Sequence, residues 1–112
     1  MVLNAIGGVR VRGLRHLPRF LWLAQKARKA ALASEGCLAV DLFREGWLFF
    51  ALSVWTDAQA MRAYAHHGVH RTMMQDTPAL CDFFHNITCE TEKALTPDEA
   101  SNAWREAWPG LG

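Results

Sequence analysis

The chain has 112 residues, 51% of them hydrophobic and 21% charged, with 12 Lys and Arg against 11 Asp and Glu for a formal net charge of +1. This length and balance fit one globular domain with a buried core and exclude a disordered or low-complexity chain. No apolar run approaches the roughly 20 residues of a membrane helix, and the N-terminus lacks the basic start, apolar centre and cleavage site of a secretory signal. Cys37, Cys81 and Cys89 are odd in number and show no C-x-x-C spacing, so they read as the reduced thiols of a cytoplasmic protein rather than a disulfide framework or structural zinc site.

Charge is uneven along the chain. Arg10, Arg12, Arg15, Arg19, Lys26, Arg28 and Lys29 precede the first acid, Glu35, and the remainder carries the acidic excess. A basic first third is compatible with an anion-binding surface. However, Arg10 and Arg12 alternate with Val9 and Val11 as one face of a strand, and Lys26 and Lys29 fall on the polar side of a helix. With no recognition motif and no aromatic platform between the bases, nucleic acid is not expected as a partner, and with no segment long enough to span one, neither is a membrane.

The first predicted element is a strand over residues 4–14. A helix over 17–33 follows, with Pro18 in its first turn and Gly36 beyond its end. Leu17, Phe20, Leu21, Ala24, Ala27 and Ala31 share a face, and Trp22 falls on the polar side. A hairpin comes next, 37–44 and 47–55 about a turn at Glu45 and Gly46. Its second arm is apolar on both sides, because Leu48, Phe50, Leu52 and Val54 alternate with Phe49, Ala51, Ser53 and Trp55, and such a strand needs cover on both faces.

Thr56 or Asp57 caps a second helix reaching residue 66 or 67, with Ala60, Met61 and Tyr64 inward. Residues 69–74 read as one further helical turn, Thr77 and Pro78 as the opening of a short helical stretch through Phe83, and 85–92 as the last strand. Thr96-Pro97-Asp98-Glu99 has the spacing of a capping box and opens a helix carrying Trp104 and Trp108, for which Trp22 is a candidate contact.

The order strand, helix, strand, strand, helix, strand predicts an α+β, ferredoxin-like βαββαβ domain over 1–93, with a C-terminal helical extension over 94–112 packing on it. Right-handed crossovers place both helices on one face of the sheet and leave the other bare, which predicts a homodimer with its sheets face to face.

The block Leu52-Ser53-Val54-Trp55-Thr56-Asp57-Ala58-Gln59-Ala60-Met61-Arg62-Ala63-Tyr64, followed by Gly68-Val69-His70-Arg71, resembles a recurring segment of the antibiotic biosynthesis monooxygenase-like superfamily of dimeric α+β barrels. The stretch Arg12-Gly13-Leu14-Arg15-His16-Leu17-Pro18-Arg19-Phe20 resembles the first strand-to-helix corner of an uncharacterised subgroup. The resemblance spans residues 4–92 and implies a cleft between helices and sheet that takes a small apolar cyclic molecule for oxygenation without flavin or metal. It also admits haem binding or a non-catalytic ligand-binding or structural dimer. For the haem-degrading branch, Asn4 stands at the position of a first-strand Asn, but Tyr64 and Met74 stand where a Trp and an iron-ligating His are expected.

His70 lies in the best-matched block and is the candidate general base or orienting group, or a haem ligand in the alternative. Tyr64 and Asn4 are candidates to orient a substrate oxygen, and Trp55, Arg12, Met61 and Met74 to bind the substrate. His66, His67 and His70 form H-H-x-x-H, but Gly68 interrupts the helix between them and no carboxylate sits at a fitting spacing, so no metal is expected.

Overall fold

The computed structural model describes residues 1–65, 75 and 78–109. Four strands, β1 (Val2–Val11), β2 (Cys37–Glu45), β3 (Leu48–Trp55) and β4 (Cys81–Thr91), form one sheet in the order β2-β3-β1-β4. Every neighbouring pair is antiparallel. Helix α1 (Leu17–Leu32) follows a 3-10 turn at Leu14–His16, α2 (Ala58–Ala65) follows β3, and α3 (Pro97–Ala107) closes the chain. This is the ferredoxin-like arrangement of an α+β protein, and among the described residues no helix is long and apolar enough to cross a membrane.

The central pair β1–β3 runs without interruption from Leu3 opposite Trp55 to Arg10 opposite Leu48. Because side chains alternate across a sheet, this register sends Leu3, Ala5, Gly7, Val9 and Val11 to one face and Asn4, Ile6 and Gly8 to the other. The first face meets Phe20, Leu23, Ala24 and Ala31 of α1 and Met61 and Tyr64 of α2. The β2–β3 ladder shifts between Cys37 and Ala39, and Leu38 at this irregularity is 54% exposed.

The second face is not bare. Ile6, Leu48, Phe50, Leu52 and Val54 bury against Ala100 and Trp104 of α3. The Trp104 indole stands edge-on to Phe50 at 5.2 Å between centroids, and its Nε1 donates to the His85 carbonyl at 2.9 Å. Gly8 leaves the space it fills, since a Cβ there would overlap the indole. Trp22 does not touch this helix: it is 53% exposed on α1, with the Lys26 ammonium 4.3 Å from its ring centroid. The expectations of an uncovered sheet face and of a Trp22 contact are therefore corrected, because the chain's last helix meets the apolar side of β3 directly.

The expected helical stretch through Phe83 is also corrected. Residues 78–80 are helical, but the strand begins at Cys81 and pairs Phe83 and Phe84 with Arg10 and Val9. Thr77 and Pro78 supplied a genuine helix-start signal, and ladder pairing with the central strand outweighs it four residues later. The further turn expected over 69–74 lies outside the described residues.

Candidate functional site

Between the helices and the sheet lies a cavity of about 520 Å³, the size of a small-molecule site. The strands make room for it by a gradient in side-chain size. On β1 the helix-facing residues are Leu3, Ala5, Gly7 and Val9, and on β3 they are Trp55, Ser53, Ala51 and Phe49. Large residues at the ends and small ones in the middle give the sheet a shallow floor. Ala24, Ala27 and Ala31 of α1 line the facing wall without filling the space.

One end is closed by aromatics. Trp55 is fully buried and stacks on Tyr64 with centroids 5.3 Å apart, and its Nε1 donates to Ser53 Oγ at 2.8 Å. The Tyr64 hydroxyl donates to the Ala27 carbonyl at 3.0 Å, which ties α2 to α1 across the cavity. Burial, reinforced by the nearby Cys37 thiol, pushes the Tyr64 pKa up to about 12. Burial likewise pushes the Cys37 thiol up, against a weaker opposing hydrogen bond with the Ala39 backbone, so it is no activated nucleophile. At the other end Phe20 and Phe49 meet edge to face at 5.2 Å. Polar groups enter from Gln25 and Arg28 on α1, Arg44 on β2 and Asn86 and Thr88 on β4.

The structure brings Trp55, Met61 and Tyr64 together at the cavity. It does not bring Asn4 there. Asn4 is fully buried on the opposite face, where Nδ2 donates to the Cys89 carbonyl at 3.2 Å and Thr91 Oγ1 at 2.9 Å. Its Oδ1 accepts from the Leu95 backbone at 3.1 Å, so the carboxamide fastens the segment between β4 and α3. Arg12 also lies apart from the cavity, its guanidinium donating to the Pro78 carbonyl from Nε at 3.3 Å and Nη2 at 3.0 Å. The register explains Asn4, because an even-numbered residue of β1 faces α3. His70 and Met74, with His66 and His67, lie outside the described residues.

Sequence reasoning missed Ser53, Asn86, Thr88 and Arg28. Asn86 carried a signal in the register, as it stands opposite Gly7, where a Cβ would sit 2.6 Å from Asn86 Oδ1. Among the described lining residues there is no carboxylate, imidazole or thiol.

Residues 14–96 match the model of a family described as a domain of unknown function, DUF3291. The chain belongs to that family. None of the curated proteins matches this DUF3291 member in sequence. Among solved structures it is similar to a conserved protein from Methanosarcina mazei Go1, at 12% identity and TM-score 0.76 over 82% of this chain and 94% of that one. An antibiotic biosynthesis monooxygenase matches at 16% identity and TM-score 0.72 over 81% and 99% of the two chains. SnoaB, a cofactor-independent oxygenase from Streptomyces nogalater, matches at 16% identity and TM-score 0.71 over 84% and 96%. At such identities the likeness establishes the fold, and the fold of this DUF3291 protein is that of the antibiotic biosynthesis monooxygenase-like proteins.

Proposed function

We propose that this protein takes an apolar cyclic molecule into the cavity and oxygenates it without flavin or metal, with His70 as the base or orienting group. The observation that carries the reading is the cavity itself: about 520 Å³, with an aromatic end, a floor of small residues and few polar groups. Oxygenation without a cofactor requires a substrate that gives up a proton in a water-poor pocket and then donates electrons to O₂. For a fused-ring phenol, one oxygen atom replaces the hydrogen of a ring carbon as a carbonyl and the other leaves as water with the two hydrogens lost, so the substrate supplies all four electrons and becomes a quinone. SnoaB is a cofactor-independent oxygenase, and a shared fold with an apolar cleft supports the same kind of chemistry here.

Tyr64 is not the base. Its phenol stays protonated at neutral pH and its proton is directed at the Ala27 carbonyl, so it shapes the pocket wall beside Trp55. With no acid, imidazole or thiol among the described lining residues, the base has to come from elsewhere, and His70 follows the lining residue Ala65 by five positions. Among the described lining residues none is an imidazole or thiolate, so a haem in this cavity would need its axial ligand from His70, the same residue proposed here as the base. We also propose a homodimer as the assembled form.

Oxygen uptake with a panel of fused-ring phenols tests the reading. His70→Ala is expected to lower turnover at least a hundredfold, on the order of the usual contribution of a general base, with an unchanged melting temperature. Ala51→Phe, on the cavity floor, is expected to abolish both uptake and binding of an apolar fluorescent probe. Retained uptake in His70→Ala would remove His70 from the chemistry, and retained binding in Ala51→Phe would remove the cavity. Probe binding by a protein that consumes no oxygen with any phenol would favour a ligand-binding protein instead.

A further inference from the structure

Helix α1 presents a second functional surface on its outer side. Arg19, Trp22, Lys26 and Lys29 recur at intervals of three and four residues, which places them in one stripe along the helix, and the preceding 3-10 turn carries a further cation, Arg15. The helix contains no acidic residue, and none precedes Glu35 in the chain. Trp22, 53% exposed, lies between two cations of the stripe, with Lys26 Nζ 4.3 Å and the Arg19 guanidinium carbon 5.9 Å from its ring centroid. Beside the stripe runs an apolar flank: Leu21 and Leu32 are each 43% exposed and eleven residues apart, close to three helical turns, and Leu14 in the preceding 3-10 turn is 73% exposed.

A helix with an entirely cationic polar edge and adjoining exposed Leu and Trp side chains has the composition of an interfacial helix. We infer that the outer face of α1 is a docking surface for an anionic lipid bilayer. The cations meet headgroup phosphates, while Leu14, Leu21, Trp22 and Leu32 enter the boundary between headgroups and acyl chains. Nucleic acid is the weaker fit, since a convex helix offers no groove, the single aromatic has a lysine over its ring, and three exposed leucines have no role on a sugar-phosphate backbone. The attraction is local, because the whole chain carries a net charge of only +1.

That no described helix is long and apolar enough to cross a membrane does not bear on this face, because a peripheral contact needs no span. Leu21 and Gln25 are both exposed and both line the cavity, so its rim adjoins this surface. Docking would bring that rim to the bilayer, where an apolar molecule is already dissolved. Only this consequence rests on the proposed function; the docking surface itself does not.

The test is sedimentation of the full chain, without ligand, with vesicles of equal parts phosphatidylglycerol and phosphatidylcholine against vesicles of phosphatidylcholine alone. Binding to the anionic vesicles only, reversed by salt, is expected. Lys26→Ala and Lys29→Ala should each weaken it about fivefold, the worth of one cation near such a surface. The emission difference between the chain and Trp22→Phe should shift to the blue on binding. Absence of binding to anionic vesicles at low salt would overturn the proposal, as would unchanged binding by a Lys26→Glu, Lys29→Glu double variant. Equally tight binding to single-stranded DNA with no shift of the Trp22 component would overturn it in favour of a polyanion-binding face. Ala51→Phe should bind vesicles normally, so failure of the cavity reading and failure of this one are distinguishable.

Discussion

Two adjacent glycines on β1 show how a single side chain acts on opposite faces of one sheet. Gly8 faces Trp104, a rigid indole with no exposed surface, and Gly7 faces the exposed Asn86 carboxamide. Gly8→Ala is expected to cost about 2 kcal/mol, the usual penalty for forcing atoms into a packed core. Gly7→Ala requires only that a flexible side chain move, and the loss of backbone freedom in the unfolded chain offsets part of that cost. Urea denaturation of the two variants should therefore differ clearly, and equal midpoints would contradict the placement of α3 on the sheet. Tyr64 is the single tyrosine of the chain, which makes its ionisation directly readable by ultraviolet absorbance. Its pKa is raised from 10.0 to about 12, mainly by burial, so the unfolded chain loses the proton first as pH rises. Stability from this group is present below pH 10 and is lost between about pH 10 and 12. A tyrosinate midpoint at its ordinary value in the folded protein would show that the phenol is not buried between α1 and α2. Of the residue-level readings, Trp55, Met61 and Tyr64 were legible because a strand end and a helix face determine their direction. Asn4 was not, because a first-strand asparagine reads as a site residue until the register shows which face it occupies.

At the scale of elements, α3 rests on its start. Thr96 Oγ1 accepts from the Glu99 backbone at 3.2 Å and a Glu99 carboxylate oxygen accepts from the Thr96 backbone at 3.0 Å, closing the reciprocal box that the sequence predicts. These bonds hold the Glu99 carboxyl below its ordinary 4.5, so the cap is intact at neutral pH and is lost as acid protonates it. Thr96→Ala is expected to cost about 1 kcal/mol in thermal or urea unfolding. The Arg105–Glu45 ion pair at 2.6 Å adds little, because both side chains are about a third exposed. A Thr96→Ala variant with unchanged stability would mean that burial of Trp104 alone holds the helix. The capping box, the hairpin and α1 were legible because each carries its own local signal. The start of β4 was not, because its first residues follow a helix-opening Thr-Pro and become strand only by pairing with β1. The side of the sheet taken by α3 was likewise hidden: Trp104 and Trp108 mark an apolar stripe without saying which surface receives it.

At the scale of the whole molecule, the cavity was foreseen only as a cleft, since its volume comes from Ala5, Gly7, Ala51 and Ser53 meeting across two strands, and that requires the register. The ground for a dimer changes in a similar way. A strand apolar on both sides demands two covers, and here α1 and α2 supply one and α3 the other within one chain. The remaining support is the partly buried rim of the α3 face, where Phe43 stacks on Phe50 at 5.2 Å and Ile87 and Trp108 border the same cluster. A homodimer built there would bury this rim against its copy and leave the outer side of α1, on the other face of the sheet, available to a bilayer. Native mass spectrometry at micromolar concentration is expected to give about twice the 12.6 kDa of the chain. Phe43→Arg, which places a charge on that rim at a partly buried position, is expected to yield a folded monomer. A monomeric wild-type chain would show that one protomer completes its own core. A dimer untouched by Phe43→Arg would move the interface to another surface, and loss of vesicle binding on dimerisation would place it on α1.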